Sequence, residues 1–485
     1  MKIAKIEVSD FRGFPGPAVY EFEFGQARSL FIWGENGSGK SSLFRAIQEF
    51  FNTNRGAKPF ADHKNTCDPA LTTGHVTVHF DDGSTQTTQA WQHGGDRPVS
   101  QPPASQTALQ VGCLDYRSLL ETNFTQRGNN VNLFQIAVTH LVPNIEIAIQ
   151  GRSYRIGQLW RTADSSNPSS KGHYKSYLES CDRALQRFND GFQPLIQPLI
   201  DKASELLERF NDPDFTLGAA SQPVAYDRDS RVFRNTDLIL SVHRSGTHIQ
   251  DHHNILNEAR LSAIGLVVYL AGLLITVPGT SQFPKLLVLD DVLIGLDMAN
   301  RLPVLKILEE YFADWQIVLL THDRVWYEMV QVEMTFNQWR GYELWLAEDG
   351  ITPIHRARDG GPDFFLSRAR QHLVANDDRA SAVYTRAAFE VKLKGYCDKR
   401  SVPVPFKKEA RHITADSFWQ AAKTRSLSTA QNSNPADHPI LTALFQAVEG
   451  ARKVVLNPLS HSITQPVTKP EIQAAIDAVG NLRFE

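Results

Sequence analysis

The chain has 485 residues, of which 42% are hydrophobic and 21% are charged, as is typical of a soluble globular protein with two or three domains. Its formal net charge of −3 excludes a uniformly basic nucleic-acid-binding surface, so any such contact requires a local patch. Cys67, Cys113, Cys181 and Cys397 lie far apart and form no CxxC pair. This pattern argues against a disulfide framework or a zinc site and fits a reducing cytoplasm.

Two stretches bear on membrane targeting. The first residues, MKIAKIEVSDFRGF, carry charges where a signal peptide has an apolar core, so we expect no signal peptide. The apolar run from Leu261 to Val277 is near the lower length limit for crossing a bilayer. Because Arg260 borders it and a polar-ended strand follows, we interpret it as a buried helix and expect no membrane partner and a cytoplasmic location.

The segment FIWGENGSGKSSLF contains a phosphate-binding motif. RSLFIW predicts a buried strand, and SSLFRAIQEFF predicts a helix, so the motif G-x-x-x-x-G-K-[ST] has the strand–loop–helix context it requires. Its backbone N–H groups and the helix N-terminus would hold an anion such as the phosphates of ATP. Lys40 would reach the β- and γ-phosphates, and Ser41 would bind Mg²⁺. The candidate nucleotide-binding residues are Gly34, Asn36, Gly37, Ser38, Gly39, Lys40 and Ser41.

A second strand with acidic residues at its end is predicted at KLLVLDDVLIGLD. The apolar run Leu286–Leu289 is typical of a buried parallel strand, and Asp290 and Asp291 follow it. We expect Asp290 to lie in the Mg²⁺ shell and Asp291 to orient or deprotonate the attacking water. The next apolar strand, in ADWQIVLLTHDR, is followed by His322, which we expect to sense the γ-phosphate.

The order and spacing of these motifs resemble the ATPase head of the ABC superfamily in its SMC and RecF branch. FRGF (11–14) resembles that branch's N-terminal turn, and 295–297 resembles its D-loop. The resemblance covers roughly 1–355 and implies an α/β, ABC-type P-loop head that pairs with a second head. It also implies nucleotide contacts from Arg12, Ser42 and Asp297.

Two family motifs are altered. In place of a Ser-Gly-Gly signature the chain has HNILNEAR, where Asn257 offers an amide to phosphate and Glu258 would repel it unless it turns away or meets Arg260. Alternatively, LNEAR only caps the helix at Leu261. The family's glutamine after an inner strand is also missing. Asp115 or Tyr116 takes its place near Mg²⁺, or the segment is an ordinary turn.

A short helical arm is predicted at about 171–211, as one helix or a hairpin. Its apolar residues follow helical spacing, but Gly191, Pro194 and Pro198 are expected to interrupt it. The arm is far shorter than those of SMC proteins, so long-range DNA bridging is not expected.

A second, all-α domain is predicted at 362–485. Helices are indicated by DDRASAVYTRAAFEVKLKGYCDKR, HPILTALFQAVEGARKVVLNPLSHS and TKPEIQAAIDAVGNL, and STAQNSNPAD reads as a loop. This region holds 17 Lys or Arg against 12 Asp or Glu, an excess of five. The basic cluster at 392–411 is either a solvated helix face or a surface for nucleic acid or a partner.

The helical pair in this domain resembles HEPN domains, which often cleave RNA. The HEPN motif places Arg four to six residues before His, whereas Arg452 and His461 are separated by eight residues and Asn457 lies nearer. The motif therefore does not match, and a helix-capping or packing role for His461 is the alternative.

Three functions remain open. The resemblance to ATPases of bacterial anti-phage systems such as Septu, PARIS and retron operons implies a sensor-scaffold that forms homo-oligomers through its heads and controls an effector nuclease. The second is a self-contained, ATP-gated RNase. The third is a RecF-like repair ATPase that binds DNA.

Overall fold

The computed structural model describes residues 1–53, 57–119, 132–143, 145–149, 152–167, 174–210, 215–249, 255–277, 279, 281–333, 338–350, 352–358, 361–403, 415–457 and 467–485. The chain divides into two compact units, Met1–Ala357 and Arg358–Glu485. The first unit, called the head below, is α/β, and the second is helical, so the predicted fold class is confirmed.

The strands of the head, in chain order, are β1 (Lys2–Ser9), β2 (Tyr20–Glu23), β3 (Ser29–Gly34), β4 (His75–Asp81), β5 (Gln86–Gln92), β6 (Val111–Asp115), β7 (Glu146–Ile149), β8 (Arg152–Arg155), β9 (Phe215–Ala220), β10 (Ala225–Asp227), β11 (Val232–Arg234), β12 (Ile239–Arg244), β13 (Thr247–Ile249), β14 (Leu286–Asp290), β15 (Gln316–Thr321), β16 (Trp339–Leu346) and β17 (Pro353–Arg358). Its helices are α1 (Lys40–Phe50), α2 (Ala104–Thr107), α3 (Phe134–Ile136), α4 (Ile156–Ser165), α5 (Tyr174–Leu207), α6 (Glu258–Thr276), α7 (Met298–Tyr311) and α8 (Arg324–Glu333). A π-helical turn, Ala137–Leu141, follows α3.

A six-stranded sheet forms the centre of the head. Its order is β17-β16-β3-β15-β14-β6, and the pairs from β16 to β6 are parallel. Every residue of β3, β14 and β15 is buried, as expected for parallel strands covered on both faces. The strands predicted at RSLFIW, KLLVLD and QIVLLT are therefore confirmed.

A second, antiparallel sheet of order β2-β1-β4-β5 packs beside the first. Gln316, the first residue of β15, joins the two sheets. Its side-chain oxygen accepts a hydrogen bond from the Ile3 N–H, and its Nε2 donates to the Ile3 carbonyl at 2.9 Å. Both backbone groups of a buried residue in β1 are thereby satisfied by one side chain of the neighbouring sheet.

Helix α6 lies in the core of the head. Among the described residues it is the helix that is long and apolar enough to span a membrane. However, 72% of its most apolar 18-residue stretch is buried within the protein. It packs against α5, and its residues from Leu261 to Leu273 are buried. This confirms the interpretation of the apolar run as a core helix.

The predicted arm contains one continuous helix. Within the described part of 171–211, α5 runs from Tyr174 to Leu207 and contains Pro194 and Pro198, so the expected interruption is wrong. The buried side chains of Phe192, Leu199 and Ala203 lie on the face that packs into the head core. Tertiary packing of an apolar stripe outweighs the local cost of proline here.

The second unit consists of helices α9 (Pro362–Val374), α10 (Asp378–Lys399), α11 (Ala415–Ser433), α12 (Asp437–Ala451) and α13 (Lys469–Asn481), with a π-helical turn at Arg452–Leu456. The helices predicted around α10, α12 and α13 are confirmed. The loop predicted at STAQNSNPAD is partly wrong, because α11 continues to Ser433. Ala422, Ser426 and Ala430 repeat every four residues and are buried in the core, which holds this polar segment in a helix.

Candidate functional site

The candidate site lies where the parallel strands of the central sheet end. Asp290 of β14 is in register with Asp115 of β6 and with Leu320 of β15, and Thr321 is in register with Trp33 of β3. The residues that follow these strands therefore meet at one edge of the sheet. In open α/β sheets, ligands bind outside this carboxyl edge.

The segment from Gly34 to Ser41, called the loop 34–41 below, contains the last residue of β3, the connection and the first two residues of α1, and it is shaped for an anion. Gly37 has φ 87° and Gly39 has φ 102°, values in the left-handed region that favours glycine. A Cβ on Gly39 would also come within 2.9 Å of the Phe14 ring, so Gly39 allows the FRGF turn to approach the loop. Asn36 and Gly37 are exposed, Gly34 is buried, and α1 begins directly after Gly39. This is the arrangement of a phosphate-binding loop at a helix N-terminus.

Lys40 is held by the loop that contains it. Its Nζ donates to the Gly34 carbonyl at 2.7 Å and to the Glu35 carbonyl at 3.0 Å. Burial lowers the pKa of Lys40, and the nearby Asp291 and Asp290 act in the opposite direction. A buried ammonium with only neutral carbonyl acceptors is poorly compensated, so it favours an anionic ligand.

Asp290 and Ser41 form a candidate Mg²⁺ site. Burial raises the pKa of Asp290 to about 6, and a hydrogen bond from Ser41 acts in the opposite direction. Asp290 is 4% exposed, and its Oδ1 atom is buried without a hydrogen-bond partner. A hydroxyl and an unsatisfied carboxylate oxygen are hard oxygen ligands of the kind Mg²⁺ takes alongside substrate phosphates, so the residues fit this ion.

Asp291 and His322 are directly linked. The Asp291 Oδ1 accepts a hydrogen bond from the His322 backbone N–H at 2.9 Å, and it lies 2.9 Å from His322 Nδ1. Asp291 adopts φ 55°, an uncommon value for a non-glycine residue, and its N–H donates to the Leu320 carbonyl at 3.1 Å. Backbone strain of this kind clusters at functional sites. The two residues predicted to be catalytic are therefore brought together by the ends of β14 and β15.

The FRGF turn is fixed to α1. The Gly13 N–H donates to Ser42 Oγ at 3.0 Å, so Ser42 joins this turn to the first turn of the helix. Arg12 has φ 48°, its N–H donates to the His63 carbonyl at 2.7 Å, and the residue is exposed. The structure thus brings Arg12 close in the fold to the phosphate loop and leaves it accessible.

Asp115 and Tyr116 have separate contacts. Asp115 stands beside Asp290 in the sheet and is paired with Arg45 of α1 at 2.8 Å. The Tyr116 hydroxyl donates to Glu258 Oε1 at 3.3 Å. Glu258 therefore contacts Tyr116, a partner that neither expectation for this residue named. Arg45 was not among the predicted site residues, although it lies one helical turn after Ser41.

Asn257 and Asp297 lie at another place on the head. Asn257 caps α6 by accepting from the Arg260 N–H at 3.0 Å, and Asp297 caps α7 by accepting from the Asn300 N–H at 3.0 Å. Both residues are exposed and line a cavity of about 260 Å³, to which no residue of the loop 34–41 contributes. The capping role is observed for Asn257, and its contact with phosphate stays a prediction.

In the helical unit, Arg452 is a core residue. It is 7% exposed, forms an ion pair with Asp416, and lies over the rings of Phe389 and Trp419 at 5.0 and 5.7 Å. These contacts leave Arg452 packed between aromatic rings. Asn457 is half-buried, and His461 lies outside the described residues.

The basic cluster at 392–411 is described up to Pro403. Within that part Lys392 points inward, and its Nζ donates to the carbonyls of Val479, Gly480 and Leu482 at 2.9, 2.6 and 3.2 Å. Its charge thus caps the C-terminus of α13. Lys392 is therefore removed from the proposed binding surface, whereas Lys399 and Arg400 remain exposed.

No protein-family profile and no curated protein matches the chain. Solved structures similar to it include an SMC head bound to the C-terminal winged-helix domain of ScpA, with 13% identity, a TM-score of 0.43, and coverage of 74% of this chain and 98% of that chain. Another is the recombination mediator protein RecF with ATP, with 12% identity, a TM-score of 0.46, and coverage of 73% and 97%. The SMC head from Thermotoga maritima has 15% identity, a TM-score of 0.36, and coverage of 74% and 100%. All three similarities are distant.

Proposed function

We propose that the head is an ATPase that binds ATP with Mg²⁺ at the carboxyl edge of the central sheet. The observation that carries this proposal is the convergence of Lys40, the Ser41–Asp290 pair and the Asp291–His322 pair on that edge. A cation, a candidate metal site and a candidate base are the groups that phosphoryl transfer to water requires.

Each residue has a distinct role in this proposal. The loop N–H groups and Lys40 bind the phosphates, and Lys40 exchanges its carbonyl acceptors for phosphate oxygens. Ser41 and Asp290 would hold Mg²⁺, which neutralises phosphate charge when bound. Asp291 accepts a proton from the water that attacks the γ-phosphorus, and ADP leaves. His322 orients Asp291 through the 2.9 Å contact.

Pairing of two heads is the second part of the proposal. Asn257 and Asp297 are exposed, lie at the N-termini of two long helices, and line a cavity apart from the phosphate loop. In a head-to-head homodimer these residues would contact the nucleotide of the other copy. Helix N-termini favour anions, which supports this arrangement.

On the motif resemblance, we further propose that the chain is a cytoplasmic sensor-scaffold of a bacterial anti-phage system. Its ATP-bound assembly would control an effector nuclease encoded nearby.

The self-contained RNase is a weaker alternative, because Arg452 is buried and ion-paired instead of facing a substrate. A RecF-like DNA-binding ATPase uses the same head geometry and is the other alternative.

Two measurements test the proposal. The mass of the Asp291→Asn variant, measured by light scattering with and without Mg-ATP, should double only with nucleotide. A monomer under both conditions would contradict head pairing.

In the second measurement the purified chain is incubated with ATP, total RNA and plasmid DNA, with His461→Ala as control. Intact nucleic acid supports the sensor, whereas cleavage lost in the variant supports the RNase.

A further inference from the structure

A cavity of about 540 Å³ lies in the head beside β6, the last strand of the central sheet. We call it the edge cavity. Its walls come from the C-terminal half of α1, the strand β6, the π-helical turn at 137–141, the start of α4 and the C-terminal half of α6. The volume falls in the range of sites that bind small organic molecules.

The charge in the edge cavity comes from two arginines. Arg161 is exposed, donates through Nε to the Gly157 carbonyl at 3.1 Å, and forms no ion pair with a carboxylate among the described residues. Arg155 pairs with the exposed Glu146 at 3.4 Å. An exposed ion pair of this kind contributes little to stability. The acidic residue in the lining, Glu49, is already neutralised by Arg97 at 2.8 Å. The α4 side of the cavity is therefore cationic.

The rest of the lining combines apolar side chains with polar ones, which are Gln48, Asn52, Thr53, Thr139 and Thr276. Trp160, which is 9% exposed, faces the cavity with Val138 and Leu273. The buried Tyr269 side chain hydrogen-bonds to the backbone of Cys113 in β6. This bond joins α6 to β6 at the wall of the cavity.

We propose that the edge cavity binds a small organic anion with a flat aromatic body. The anionic group would pair with Arg155 and Arg161, since guanidinium groups bind carboxylate and phosphate through two hydrogen bonds at once. The ring would lie against Trp160 in the apolar part. A nucleoside monophosphate and an aromatic carboxylate share this chemistry.

The edge cavity is connected to the ATP site through two elements. Gln48 and Glu49 belong to α1, the helix whose first residues are Lys40 and Ser41. Cys113 lies two residues before Asp115, which is paired with Arg45 of the same helix. A ligand that moves α1 away from β6 would change the affinity of the ATP site for ATP. By thermodynamic linkage, ATP would change the affinity for the ligand by the same factor.

The test uses anilinonaphthalene sulfonate, a fluorescent aromatic anion, with the full-length protein. Its Kd is measured for the wild type, for the double variant Arg155→Ala/Arg161→Ala, and for Thr139→Trp, which places a large ring in the lining. Arg152→Ala is the matched control, because Arg152 is an exposed arginine on the same hairpin outside the lining. Competition with AMP and with benzoate then distinguishes the two ligand sources.

The expected result is a Kd at least tenfold higher in the double variant and in Thr139→Trp, with Arg152→Ala unchanged. Lys40→Ala should keep the probe affinity and lose its response to ATP, which separates this site from the nucleotide site. Unchanged probe binding in both Thr139→Trp and the double variant would overturn the proposal. So would an absence of saturable binding to the wild type.

Discussion

The Tyr116 hydroxyl donates a hydrogen bond to Glu258 Oε1 at 3.3 Å, so the end of β6 is joined to the first turn of α6. Tyr116 follows Asp115, the neighbour of Asp290, and Glu258 follows Asn257, the proposed contact to a second head. One hydrogen bond therefore connects the candidate metal site with the surface proposed for pairing, and it holds a carboxylate that would repel phosphate.

We predict that Tyr116→Phe weakens ATP-dependent pairing about threefold to tenfold. The freed Glu258 carboxylate would approach the partner's triphosphate, and like charges repel. The dimerisation constant, measured by light scattering in Mg-ATP, checks this. Because Glu258→Gln removes the repelling charge, the double variant should pair like Glu258→Gln alone. An equal loss in the single and the double variant would contradict this role.

Lys40→Ala should abolish detectable ATP binding. The variant removes the cation whose burial favours a phosphate ligand, and charge-assisted contacts of this kind contribute strongly in a desolvated loop. Calorimetric titration with Mg-ATP measures the effect. Lys306→Ala, which changes an exposed lysine on α7, serves as control and should bind ATP normally. Wild-type affinity in Lys40→Ala would remove the loop from the site.

Asp291→Asn should lower ATP turnover by about 10²–10⁴-fold while ATP binding persists, because an amide cannot accept the proton from water. Asparagine tolerates φ 55° and can still accept the two His322 hydrogen bonds, so the fold should be kept. Phosphate release under single-turnover conditions gives the rate. Unchanged turnover would exclude Asp291 as the base.

Asp290 should make both stability and Mg-ATP affinity depend on pH. Its pKa is about 6 in the folded chain against an ordinary value of 3.8, so the native state binds more protons than the unfolded state between these values. The unfolding free energy from this group therefore falls as pH rises through that window. At pH 8, Asp290→Asn should raise the unfolding free energy by about 2–3 kcal/mol, since each pKa unit corresponds to about 1.4 kcal/mol.

Thermal unfolding at pH 4 and pH 8 measures this effect, and the gain should vanish at pH 4, where Asp290 is protonated. The same residue must be ionised to hold Mg²⁺, so Mg-ATP affinity of the wild type should drop below pH 6. A gain in stability that is equal at both pH values would show that burial of the charge is not its cause.

Gln316→Leu should destabilise the head by about 2–4 kcal/mol. The change leaves the N–H and carbonyl of Ile3 buried without partners, and each such group costs about 1–3 kcal/mol. Denaturant unfolding, followed by a probe in the head, measures the loss. Gln86→Leu, at an exposed position of β5, is the control and should have little effect.

The central strands and the α1 loop were predictable because their signals are local. Continuous apolar runs followed by Gly34, Asp290 or His322 specify a buried strand with a polar end. The contact between Asp291 and His322 was not predicted, because it depends on the pairing of β14 with β15. Likewise, the sequence did not indicate that Gln316 joins two sheets.

The two wrong predictions of secondary structure have the same cause. Pro194 and Pro198 were expected to break the arm, and the polar run around Ala430 was expected to be a loop. In both places local preference favours irregular structure, and burial of side chains spaced three or four residues apart outweighs it. The contact between Tyr116 and Glu258 was not predicted, because the two residues are distant in sequence.

Strand β15 is anchored at both ends. Gln316 fixes its first residue to β1, and the Asp291 carboxylate holds His322, the residue after its last. We therefore expect the strand to keep its register with its neighbours whether or not the proposed site holds phosphate. We expect movement linked to the nucleotide to be confined to the turn at 322–323, between β15 and α8. Amide exchange should then respond to nucleotide in this turn and remain slow throughout the strand.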